Sequence, residues 1–112
     1  MKTEILNLVR DRDFVTFVEL SSVIPDFKGD NAMVLVDFPN IVLWPWVSSL
    51  GIVALQDLLK SKEIHICPAS ILVYMADGNF PSLDIAKGLR QYKAPRWLPI
   101  TFSVNPPKKA KK

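Results

Sequence analysis

The sequence has one cysteine, Cys67, and one histidine, His65. A single thiol excludes an intrachain disulfide, and the pair is too small for a zinc site built on cysteine and histidine alone. Glycine is also scarce, with 4 residues in 112, and no glycine-rich phosphate loop, serine nucleophile elbow or EF-hand spacing is present. Residues 38–56 hold no charge, a length close to the roughly 20 residues that cross a bilayer. Pro39, Asn40, Pro45 and Gly51 interrupt that stretch, and its periodicity changes halfway along. A buried strand followed by a buried helix accounts for it, and no membrane contact is expected. The start lacks the basic stretch, apolar run and small-residue site of a secretory signal. A reduced, cytoplasmic setting without a cofactor is the expectation.

What is present is apolar and unevenly charged. Hydrophobic residues make up 49% and charged residues 22%, which is globular composition. One domain over residues 1–105 is expected, followed by a basic tail, 106–112, of the kind that stays disordered. The net charge of +3 hides a division. Residues 1–84 carry six bases and all 11 acids, a net −5; residues 85–112 carry eight bases and no acid, a net +8. A basic segment of this kind suits an anionic partner, nucleic acid first, because each neutralised phosphate releases a counterion.

Local patterns give the elements. Ile5, Leu6 and Val9 share a side of a short helix from Lys2 to about Arg12. Thr16 and Glu19 have the spacing of a capping box, with Val15 and Leu20 as its staple, and the helix they start stops at Pro25. Residues 27–32 read as a loop. Met33-Val34-Leu35-Val36 and Ile41-Val42-Leu43-Trp44 flank a polar, proline-containing turn and predict a hairpin. Ser48 or Ser49 caps a helix to about Ser61, with Ile52, Leu55, Leu58 and Leu59 as its stripe. Ile64-His65-Ile66-Cys67 and Ile71-Leu72-Val73-Tyr74-Met75 predict a second hairpin around Pro68-Ala69-Ser70. Ser82 or Asp84 caps a shorter helix through Tyr92. Ile100-Thr101-Phe102-Ser103-Val104 alternates as a half-buried strand does.

This order resembles a winged helix-turn-helix domain. The resemblance rests on Ser48 to Leu59 as third helix, followed by Ile64-His65-Ile66 and Leu72-Val73-Tyr74 as wing. The whole hairpin before that helix exceeds the short strand usual in the family. The fold so implied is α+β and winged-helix-like, with helices packed on antiparallel hairpins and a C-terminal helix and strand extension. It would turn Ser48, Ser49, Gln56, Lys60 and Lys62 toward a DNA groove, with Pro68, Ala69 and Ser70 at the wing tip. Base reading favours Arg, Lys, Asn and Gln, and this helix has few.

The second contact set is the basic segment: Lys87, Arg90, Lys93 and Arg96, then Lys108 and Lys109 in the tail. Tyr92 and Trp97 lie among these cations, a mixture suited to phosphate contact and stacking on unpaired bases; alternatively both rings belong to the core. The leading expectation is a non-enzymatic nucleic-acid-binding or regulatory accessory protein. An alternative is a protein-interaction module or homodimer, with Trp44, Trp46 or Trp97 as an exposed anchor. A further one starts from Val34-Leu35-Val36-Asp37-Phe38-Pro39-Asn40, which is similar to the opening strand of PIN-like nucleases. That resemblance implies Mg²⁺ held by Asp37, Asp77 and Asp84. His65 and Cys67, at i and i+2 on one strand face, have the residue types of a base and nucleophile, but no neighbouring charge favours a thiolate.

Overall fold

The capping box at Thr16 forms as its spacing predicts. The Thr16 hydroxyl accepts from the Glu19 amide at 3.1 Å, and the Glu19 carboxylate accepts from the Thr16 amide at 3.3 Å. It opens the second of four helices in an α+β chain with five strands, seen in a computed structural model that describes residues 1–107. In order these are α1 (Lys2–Arg12), α2 (Phe17–Val23), β1 (Lys28–Val34), β2 (Ile41–Val47), α3 (Ser49–Lys60), β3 (His65–Pro68), α4 (Ile71–Asp77), β4 (Arg96–Trp97) and β5 (Ile100–Ser103). The uncharged stretch 38–56 is indeed a strand followed by a helix. No described helix is long and apolar enough to cross a membrane.

The first hairpin stands, with its first strand shifted toward the N-terminus so that Leu35 and Val36 fall in the turn. β1 and β2 pair antiparallel, and β1 starts at Lys28 inside the expected loop. Both Lys28 and Asn31 lie opposite Val47, so the ladder carries bulges. These absorb the polar run Lys28-Gly29-Asp30-Asn31 and the missing amide of Pro45. Gly29 is required here: a Cβ would lie 2.5 Å from the Ser48 Cα, so any side chain would push β1 away from the start of α3.

Ser48 caps α3 by accepting from the Gly51 amide at 3.0 Å. The buried face is Gly51, Ala54, Leu55 and Leu58, spaced i, i+3, i+4, i+7. It is turned slightly from the expected stripe, leaving Ile52 and Leu59 half-buried.

Two expected elements are absent. The second hairpin does not form, because Ile71–Asp77 is helix rather than strand. Ser70 caps it, accepting from the Leu72 amide at 3.1 Å, and Gly78 ends it at φ 86 in the left-handed region that glycine adopts readily. With its expected partner gone, β3 pairs antiparallel with β5. The helix expected through Tyr92 is replaced by irregular chain. Its start is diverted when Ala86 donates to the Trp97 carbonyl and Trp97 donates to the Asp84 carbonyl, each at 2.8 Å. β4 pairs parallel with β2 and completes the β1-β2-β4 sheet. β5 is buried throughout rather than alternating, since β3 and the Val15 bridge flank it and α1 packs on it.

Aromatic rings join the layers. Phe17 stacks on Trp44 with centroids 5.6 Å apart, and Tyr74 meets Trp97 edge-on at 5.1 Å. The Trp97 indole donates to the Leu43 carbonyl at 3.1 Å. The Tyr74 hydroxyl donates to the Ile100 carbonyl at 2.6 Å and accepts from the Phe17 amide at 3.2 Å, tying α4 to α2 and β5. Such rings give large apolar burial plus about 0.5–1.5 kcal/mol per well-placed pair.

Candidate nucleic-acid interface

Residues 87–95 lack every backbone device that holds a loop. Among the described residues none of them makes a backbone–backbone hydrogen bond. Gly88, Ala94 and Pro95 give neither helical nor strand periodicity. The segment is closed by side chains instead, and Tyr92 does most of it. Its hydroxyl accepts from the Lys87 amide at 2.9 Å, the Gly88 amide at 3.1 Å and Arg90 Nε at 3.3 Å, and donates to the Gly88 carbonyl at 3.0 Å.

Two residues anchor this loop to the β1–β2 turn. Asn40 donates its side-chain amide to the Tyr92 carbonyl at 2.7 Å, and Gln91 donates to the Asp37 carbonyl at 2.8 Å. The turn that carries Asp37 and Asn40 is therefore a brace for the basic segment.

The brace collects charge. Lys87, Arg90, Lys93 and Arg96 line one open depression of about 520 Å³ together with Asp84 and Tyr92. The Arg96 guanidinium lies 4.8 Å from the centre of the Tyr92 ring and the Arg90 guanidinium 5.5 Å from it. All the side-chain ion pairs formed among the described residues lie elsewhere: Lys2 with Asp57 and Arg12 with Glu19. Four cations thus share a small surface without a paired carboxylate. The Arg90 hydrogen bond, with the Lys87 and Gly88 amides, lowers the Tyr92 pKa from its ordinary value against a smaller opposing effect of desolvation.

No family model, curated protein or solved structure matches this chain. The reading of the surface rests on its own chemistry.

The other expected contact residues are placed differently. The Ser48 hydroxyl is engaged in the α3 cap, and Ser49 Oγ accepts from the Asn31 side chain at 3.2 Å. Gln56 and Lys60 are exposed on α3, beside Asp57, which pairs with Lys2 at 3.8 Å. Lys62 sits past the helix in a turn at φ 63. None of these five lines the basic depression. Pro68, Ala69 and Ser70 lead into α4 rather than forming a wing tip. Lys108 and Lys109 lie outside the described residues.

Of the rings, Trp97 and Trp44 are core and cannot stack on a base or anchor a partner, while Trp46 is half-buried. Exposed large apolar side chains include Leu72, Val73 and Met75 of α4, Phe80, and Leu89 of the loop itself. The acidic cluster of the nuclease alternative is not assembled. No group of three or more metal-binding side chains occurs among the described residues, and Asp77 accepts from the Thr16 hydroxyl at 2.6 Å. Cys67 is buried, and desolvation, with a contribution from the Asp13 charge, raises its pKa, so its thiol is protonated at neutral pH.

Sequence reasoning found the cations and missed what holds them. Asn40 and the Tyr92 hydroxyl are the omitted residues. A tyrosine between two arginines in a segment without apolar period was the available signal.

Proposed function

We propose that this protein binds nucleic acid as a non-enzymatic accessory factor, through the phosphate backbone, with Lys87, Arg90, Lys93 and Arg96 as the contact set. One observation carries this reading: Lys87, Arg90 and Lys93 on a braced loop and Arg96 on the adjoining β4 line one depression, none of them ion-paired, against a single carboxylate there, Asp84. Such a site is attractive to phosphate because the like charges already crowd one another, and an anion relieves that repulsion.

The winged-helix resemblance does not carry this proposal: a whole β1–β2 hairpin precedes α3, and the expected wing is lost where Ile71–Asp77 is helix. The contact surface moves from α3 to the loop. On α3, groove recognition would depend on Gln56 and Lys60 beside Asp57, which is poor chemistry for either bases or phosphates.

The test is a salt titration of binding to a labelled 20-base-pair duplex of arbitrary sequence, followed by fluorescence anisotropy. Four phosphate contacts give a slope of log K against log salt near −3.6, at about −0.9 per contact. Arg90→Glu and Arg96→Glu should each weaken binding and flatten the slope by about one contact or more. Absence of binding at low salt, or reversals without effect, would overturn the reading.

A further inference from the structure

The loop that carries Lys87, Arg90 and Lys93 is fastened by side chains, whereas Arg96 is held by β4, and the most connected of those side chains is a single hydroxyl. Three donors and one acceptor converge on the Tyr92 oxygen within 3.3 Å, spanning Lys87, Gly88 and Arg90. The same ring lies against the guanidiniums of Arg90 and Arg96. Without the hydroxyl, nothing in residues 87–91 would join the Lys87 backbone to the Arg90 side chain, since that stretch has no backbone–backbone hydrogen bonds.

The ring is also engaged by its neighbours. A base stacks on an aromatic face that is open. Tyr92 is partly buried with two guanidiniums against it, and Trp97 is fully buried. Four cations and the exposed Asp84 carboxylate line this surface, and its one ring, Tyr92, already packs against two of the cations.

We propose that Tyr92 is a positioning residue that presets Lys87, Arg90 and Arg96 for sugar-phosphate backbone, and that the site takes this backbone without using base rings. The inference rests on the nucleic-acid reading above and adds which part of the polymer is held and what orders the cations. The hydroxyl touches no phosphate. It fixes the turn from which Lys87 and Arg90 project, while its ring packs on the Arg96 guanidinium, so that less conformational freedom is lost when an anion binds.

The experiment uses the full chain, the variant Tyr92→Phe, and two single-stranded probes of equal length: oligo-dT and a fully abasic oligomer with the same number of phosphates. Wild-type protein should bind both within about twofold, because their charge is equal. Tyr92→Phe keeps every charge and the ring, so the slope of log K against log salt should hold while affinity falls about two- to tenfold for both probes, the range expected for lost hydrogen bonds. Its thermal transition should stay near that of wild type, since the loop lies outside the core, and this separates positioning from unfolding. Tyr92→Phe binding as tightly as wild type would overturn the positioning role. Binding of oligo-dT tenfold tighter than the abasic probe would overturn the backbone assignment. Wild-type protein that binds the labelled duplex but neither single strand would overturn this inference alone, and protein that binds none of the three would remove the nucleic-acid reading with it.

Discussion

Two tyrosines organise two regions of this molecule, and they do so in opposite surroundings. Tyr74 is fully buried among Trp44, Trp97 and the α2 start, and its hydroxyl satisfies one backbone donor and one acceptor. Burial raises its pKa far above the ordinary tyrosine value, outweighing the Phe17 hydrogen bond that acts to lower it. Tyr92 lies at the surface, and the cation beside it lowers its pKa instead. The same phenol thus reports an apolar interior in one place and a cationic rim in the other. The comparison separates what holds the chain folded from what the chain presents to a partner.

The largest expected effect lies on the core side. Trp44→Ala removes the ring stacked on Phe17 and packed against Tyr74 and Trp97. A loss of about 3–5 kcal/mol is expected, read by urea denaturation, enough to unfold a domain of ordinary stability. A loss below 1 kcal/mol would show that the aromatic cluster is not the centre of the fold.

Tyr74→Phe comes next. It keeps the ring and strands the Phe17 amide and the Ile100 carbonyl, at a cost of about 1–3 kcal/mol. The pH dependence has a definite sign. With the folded pKa raised, the unfolded phenol ionises first, near pH 10. The folded state then holds more protons, so the contribution is fully present below pH 10 and is lost as pH rises above it. Wild-type stability should fall in that range, and Tyr74→Phe should lack this component of the fall. Identical alkaline profiles for the two proteins would contradict the assignment.

Asn40→Ala crosses from one region to the other. It frees the Tyr92 carbonyl, which lies near water, so stability should change by less than about 1 kcal/mol. Duplex affinity should nevertheless fall, because the loop loses its anchor to the β1–β2 turn. Unchanged affinity in anisotropy would mean that the brace is irrelevant to binding. The smallest effect is expected from Lys60→Gln on α3, less than about twofold in affinity. If it matched Arg90→Gln, the contact surface would have to include α3.

The sequence revealed what is local and concealed what is not. The Thr16–Glu19 box, the Ser48 cap and the β1–β2 hairpin each depend on residues close in the chain, and all three were legible. Ile71–Asp77 was not. Its opening Ile-Leu-Val-Tyr-Met run is apolar without a period and rich in strand-forming types. Caps at Ser70 and Gly78 make it a helix, as do bonds from Tyr74 to Phe17 and Ile100 and from Asp77 to Thr16, across 26 to 61 positions. The β3–β5 pairing is concealed for the same reason. At the candidate interface the cations could be read directly, since composition alone shows them. Their support could not, because Asn40 and Tyr92 meet across 52 positions.

The central claim is that the partner is held by residues 84–96 and not by α3. Backbone amide chemical shifts of the full chain, followed while an unlabelled duplex is added at low salt, test it most directly. The account expects the largest changes at Lys87, Gly88, residues 90–94 and Arg96, with residues 49–60 little affected. Changes concentrated along Ser49–Lys60, with the basic loop undisturbed, would contradict it.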